Sequence, residues 1–211
     1  KLMTLYNQKK LVQVFEEAQI LTKQDANNLT LWNLMGASAS QIGKLEEAVF
    51  AFQKAISINP KSPSPYNNMG NALKEQGKPD EAIDAYKKAL SIKPDLFETL
   101  ISMGNALKNQ EKFEEAIAAY KKALSINPKT PGAYNNMGNA LKDQGKLEEA
   151  IGAFLWVRLV DFVVVFLLSL GGIFLRVFIV KRRRRRLRFS IAWHRVLFRI
   201  VFWIRDKVRT L

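Results

Sequence analysis

YNNMGNALKEQGKPDEAIDAYKKALSIKP, residues 66–94, decides the fold, because the chain repeats it. It returns from Tyr134 as YNNMGNALKDQGKLEEAIGAF, and more loosely from Leu100 as LISMGNALKNQEKFEEAIAAYKKALSINP. Gly36, Gly70, Gly104 and Gly138 stand 34 residues apart, as do Ala48, Ala82, Ala116 and Ala150, and Phe52, Tyr86, Tyr120 and Phe154. A fixed period of this length is the signature of a stacked repeat, in which each unit buries its apolar face against its neighbours.

Within residues 66–94 the apolar and small residues fall three and four apart, the spacing of one helical face. Tyr66, Met69, Gly70 and Leu73 form one run, and Ala82, Ile83, Tyr86, Ala89 and Leu90 a second. Gly77 and Lys78 separate the runs, and Pro79 suits the first turn of the second helix, where a missing N–H costs nothing. Pro94 marks the turn into the next hairpin. Gly70 and Ala82 are small where paired helices must come close. Glu46-Glu47, Glu114-Glu115 and Glu148-Glu149 recur at second-helix starts, where carboxylates complement the helix dipole.

The recurrent aromatic, Met, Gly, then Ala, aromatic, Ala and Pro resembles the tetratricopeptide repeat (TPR) family. The first full unit shows Trp32, Met35, Gly36, Ala48, Phe52, Ala55 and Pro60. The second shows Tyr66, Met69, Gly70, Ala82, Tyr86, Ala89 and Pro94, and the third Leu100, Met103, Gly104, Ala116, Tyr120, Ala123 and Pro128. The fourth begins with Tyr134, Met137, Gly138 and Ala150 and stops matching after Phe154. Met replaces the usual Leu before Gly, and Glu111 takes the place of a turn glycine. The resemblance implies an all-α fold, a right-handed superhelical stack of 34-residue helix-turn-helix units. The expected units are 29–62, 63–96, 97–130 and a partial one at 131–154, with an eroded unit at 1–28. Val14, Ala18 and Leu21 there fall one period before Ala48, Phe52 and Ala55. The chain opens on Lys1 rather than Met and reads as a fragment or a processed product.

In this family first helices line a concave groove, and residues at i, i+3 or i+4 and i+7 share a face. The groove-facing residues of the second unit are then Asn67, Asn68, Asn71 and Lys74, with Glu75 beside them. The third unit offers Ser102, Asn105 and Lys108, and the fourth Asn135, Asn136, Asn139 and Lys142. A carboxamide carries a donor and an acceptor side by side and can pair with a peptide N–H and C=O whatever the side chain. Asn68 and Asn136 match the asparagine ladder in the repeat superhelix of O-linked N-acetylglucosamine transferase, a ladder broken here at Leu34 and Ser102. Asn71, Asn105 and Asn139 form an unbroken second row. The carboxylate clamp of some relatives wants a lysine where Asn67, Ile101 and Asn135 stand, so no such clamp is expected. The competing reading is that these polar residues are simply a solvated face.

Composition narrows function further. Cysteine is absent, which excludes disulfides and thiolate chemistry, and the single histidine, His194, cannot build an imidazole metal site. No nucleophile constellation or phosphate loop occurs, so neither an enzyme nor a cofactor is expected. The net charge of +14 is unevenly placed: residues 1–154 carry +2, with 19 lysines and no arginine, and residues 155–211 carry +12, with 12 arginines. Residues 155–211 form an apolar, arginine-rich tail, expected to be helical. Within it, residues 162–180 hold one charge, Arg176, and are long enough to span about 30 Å of hydrocarbon. Lys181 to Arg186 follow, six cations suited to anionic head groups, so the tail reads as a membrane anchor before a nucleic-acid site. The abrupt change inside a helix also fits a shifted reading frame, which sequencing of the gene would decide.

The expected function is a protein-interaction scaffold holding a peptide or helix in its groove, in the cytoplasm, with no nucleic-acid partner. The alternatives are the targeting module of a larger transferase and a membrane-tethered adaptor.

Overall fold

The structure, a computed structural model, describes residues 2–155, and every regular element among them is helical. In chain order these are α1 (Leu2–Asn7), α2 (Leu11–Gln24), α3 (Leu29–Gln41), α4 (Leu45–Ile58) and α5 (Pro63–Glu75). Then come α6 (Pro79–Ile92), α7 (Phe97–Asn109), α8 (Phe113–Ile126) and α9 (Pro131–Asp143). Residues 147–155 are helical as well. The chain divides into two compact units, Lys1–Ala150 and Ile151–Leu211. The tail, with the expected span at 162–180, lies outside the described residues.

The turns inside the hairpins are built alike. After α5, the N–H of Gly77 bonds to Lys74 O at 3.1 Å and that of Lys78 to Leu73 O at 2.9 Å. This closes the helix with a left-handed residue, Gly77, at φ 74°. The same long-reach bond joins Lys10 to Leu5, Lys44 to Ala39, Lys112 to Leu107 and Lys146 to Leu141. Residues 9, 43, 77, 111 and 145 all have positive φ, so the turn recurs at the 34-residue step through the short α1–α2 pair. At two of the five the residue is not glycine: Lys9 has φ 56° and Glu111 φ 59°. An L side chain in that region costs on the order of 1–2 kcal/mol, which the fold carries at Glu111 because the neighbouring hairpins fix the turn.

Second helices start and stop as the sequence dictates. Pro79 opens α6, and Asp80 and Glu81 lie in its first turn, as Glu46 and Glu47 do in α4 and Glu114 and Glu115 in α8. After Ile92, Lys93 turns extended ahead of Pro94, whose ring disfavours helix in the residue before it.

Packing runs between neighbours in the chain. Each of α3, α5 and α7 packs on the second helix of its own hairpin, on the preceding second helix, and on the adjacent first helices. The first helices α1, α3, α5, α7 and α9 each pack on the next and form one continuous layer. Between the layers lie Ala48, Ala82 and Ala116, with Phe52, Tyr86 and Tyr120 fully buried. The expected close approach of Gly70 has a specific partner. A Cβ on Gly70 would sit 2.6 Å from Tyr86 Cε1, on Gly36 2.6 Å from Phe52 Cε1, and on Gly104 2.6 Å from Tyr120 Cε1. In α3, α5 and α7 the glycine of the first helix is the seat for the aromatic ring of the second helix.

Candidate binding face of the first helices

The ten polar residues singled out from the sequence are half-buried or exposed, and all lie on the first helices α5, α7 and α9. Asn67, Asn68, Asn71 and Lys74 are half-buried on α5, and Asn105 and Lys108 on α7. Asn136 is half-buried on α9, where Asn135, Asn139 and Lys142 are exposed. The continuous first-helix layer brings the three sets onto neighbouring helices.

Several of these carboxamides are already engaged by the fold. The Tyr86 hydroxyl donates to Asn71 Oδ1 at 2.8 Å, and the Tyr120 hydroxyl to Asn105 Oδ1 at 2.7 Å. Each bond crosses a hairpin from second helix to first. The next first helix joins in: Asn136 Nδ2 donates to Asn105 Oδ1 at 2.9 Å, and the Ser102 side chain hydrogen-bonds to the Tyr86 phenol. Both units therefore carry a three-helix polar link of tyrosine, asparagine and the ladder residue of the following unit. Asn67 is used at both ends, accepting from Thr99 Oγ1 at 2.8 Å and donating to Asn68 Oδ1 at 3.2 Å. Thr99 is itself buried, so its hydroxyl needs this partner.

Burial raises the Tyr86 phenol well above its ordinary range, an effect that Glu75 reinforces and the Ser102 bond partly offsets. Burial alone does the same for Tyr120. Both hydroxyls stay protonated at neutral pH, and in the structure each donates to an asparagine oxygen.

The first full hairpin lacks this link. Phe52 occupies the tyrosine position, and Ala37 stands where Asn71 and Asn105 do. Asn33, one period before Asn67, has a buried Oδ1 without a protein partner, and the position of Thr99 is taken there by Pro65, which has no hydroxyl to offer.

The 34-residue period exposes the rows but not these ties. The sequence carries only a partial sign: asparagine at 71 and 105 accompanies tyrosine 15 residues on and alanine at 37 accompanies phenylalanine, but Asn139 stands 15 residues before Phe154. Spacing along single helices could not reveal it, because the bonds run between helices.

Two unit boundaries also carry a glutamine–acid contact. Gln110 Nε2 donates to Asp80 Oδ1 at 2.8 Å, Gln144 Nε2 donates to Glu114 Oε1, and Lys112 Nζ lies 3.7 Å from Asp80. These bonds reach from one unit to the next and fit a structural role. Among the described residues no cluster of acids and histidine could hold a metal, and no helix is long and apolar enough to cross a membrane.

Comparison with known proteins finds repeat-family matches over part of the chain. A model described as the tetratricopeptide repeat matches residues 63–96, and one described as the TPR repeat matches residues 40–77 and 104–145. No curated protein matches the chain. Among solved structures, a crystal structure of MamA is similar at TM-score 0.72 and 22% identity, over 77% of this chain and 95% of that one. MamA from Desulfovibrio magneticus RS-1 is similar at TM-score 0.72 and 16% identity, over 77% of this chain and 92% of that one. At these identities the likeness concerns the fold. Residues 40–96 and 104–145 of this chain are tetratricopeptide repeats.

Proposed function

We propose that the chain is a protein-interaction scaffold that holds a peptide or helix of a partner protein against the first-helix layer. One observation carries this reading. The first helices place asparagine and lysine side chains at the same position in successive units, on adjacent helices, at Asn71, Asn105 and Asn139 and at Lys74, Lys108 and Lys142. An extended segment lying across α5, α7 and α9 meets the same polar group once per unit. The superhelical curvature that the repeat family implies would make this layer the concave wall.

A solvated face without a ligand makes a different prediction for substitution. On the binding reading, the combined change Asn71→Ala, Asn105→Ala and Asn139→Ala weakens capture of partners from a lysate while the helical signal persists. Each asparagine bond lost is worth about 0.5–1.5 kcal/mol, so three together weaken capture by on the order of 10-fold or more. Unchanged capture by a folded triple variant would overturn the proposal.

A further inference from the structure

Methionine recurs through the stack as regularly as glycine does. Met35, Met69, Met103 and Met137 stand 34 residues apart, each one residue before the glycine of its first helix. The fifth methionine, Met3, lies off this register on α1. With cysteine absent, these five thioethers are the only sulfur in the chain. Burial sorts them into three kinds. Met3 is 56% exposed, Met35 is buried at 5%, and Met69, Met103 and Met137 are half-buried.

The three half-buried methionines stand at joints between units. Met69 packs against the core cluster that holds Ala51, Phe52 and Ala55 of α4, the preceding second helix. Met103 and Met137 take the same place on α7 and α9, which pack on α6 and α8. On the far side of α5 and α7 there is no slack, because Gly70 and Gly104 already lie against the rings of Tyr86 and Tyr120. A change at Met69 that costs packing therefore parts α5 from α4 and does not move it into α6.

We infer that Met69, Met103 and Met137 are oxidation sites, and that the joints of the stack loosen when hydrogen peroxide converts them to sulfoxides. The sulfur lone pair takes one peroxide oxygen, and an S–O bond forms as the O–O bond breaks. The second oxygen leaves as hydroxide and becomes water with the proton released by the first. Sulfur loses two electrons and the peroxide gains them. A flexible apolar side chain thus becomes polar within an apolar contact. Half-burial serves both steps: it leaves the sulfur within reach of a small oxidant and keeps the side chain packed enough for the new oxygen to matter. Stability in a stack sums over units and their interfaces, so three weakened joints add. Two thiols reverse the change, forming a disulfide and releasing the oxygen as water, a reaction that sulfoxide reductases carry out.

The test exposes the folded full chain to hydrogen peroxide, locates sulfoxides by peptide mass spectrometry and follows urea unfolding by circular dichroism. Met3 is expected to oxidise first, Met69, Met103 and Met137 next, and Met35 last. As the three convert, the unfolding midpoint is expected to fall by roughly 1 M urea or more, the scale set by polar groups placed in apolar contacts. Methionine sulfoxide reductases of both epimer specificities, with dithiothreitol, are expected to restore it. The triple variant Met69→Leu, Met103→Leu and Met137→Leu keeps the side-chain volume and offers no sulfur at the joints. Its midpoint is expected to hold under peroxide although Met3 still oxidises. Joint methionines that stay unoxidised while Met3 converts would overturn the inference, as would an unchanged midpoint with all three oxidised. An equal fall in the leucine variant, or a fall that the reductases do not reverse, overturns it too, since the damage then lies elsewhere.

Discussion

Tyr86→Ala is expected to destabilise the repeat stack by about 3–5 kcal/mol, the usual cost of removing a fully buried aromatic ring. Tyr86 is 0% exposed, its ring lies over Gly70, and its hydroxyl ties Asn71 to the second helix. Alanine leaves a cavity between α5 and α6 and frees the Asn71 carboxamide. Tyr86→Phe separates the two contributions. It keeps the ring and removes only the hydroxyl bond, worth about 0.5–1.5 kcal/mol, less if water replaces it at half-buried Asn71. Urea unfolding followed by circular dichroism measures both. Because stability in such a stack is a sum over units and their interfaces, the loss should also be felt in the flanking hairpins. Equal midpoints for the alanine and phenylalanine variants would show that the ring is not the anchor described.

Gly70→Ala is the second large effect, and its sign is the informative part. Alanine in a helix interior is ordinarily better than glycine by about 0.8–1 kcal/mol. Here its Cβ would meet Tyr86 Cε1 at 2.6 Å and Cδ1 at 2.8 Å, well inside van der Waals contact. The ring cannot swing away cheaply, because it is fully buried and held at its far end by Asn71. Overpacking costs roughly 1–3 kcal/mol and exceeds the propensity gain, so the variant is expected to unfold at lower urea. Gly132 is the internal control. It lies in the first turn of α9, and a Cβ there meets nothing within 4 Å, so Gly132→Ala should stabilise slightly or be neutral. A stabilised Gly70→Ala variant would contradict the packing.

What the sequence revealed and what it withheld divide along a physical line. Helices, turns and the seat of each aromatic ring follow from spacing within one unit, and 34-residue regularity multiplies that signal. Glu111 was legible as a departure from the turn glycine, and it adopts the left-handed conformation regardless. The candidate residues were legible as rows. Their orientation was not, because the bonds of Asn71 to Tyr86, of Asn105 to Asn136 and of Asn67 to Thr99 join different helices. A linear pattern says which residues share a face, and only the packed hairpins say which of their atoms are already spent.

The central claim is that the first-helix layer, not the outer one, is where a partner sits. Lysines mark both layers: Lys74, Lys108 and Lys142 on α5, α7 and α9, and Lys87, Lys88, Lys121 and Lys122 exposed on α6 and α8. Amine-reactive cross-linking of the full chain with a captured partner, mapped by mass spectrometry, tells them apart. Partner cross-links are expected at Lys74, Lys108 and Lys142, and are expected to be lost in the triple asparagine variant. Cross-links concentrated on Lys87, Lys88, Lys121 and Lys122 would contradict it.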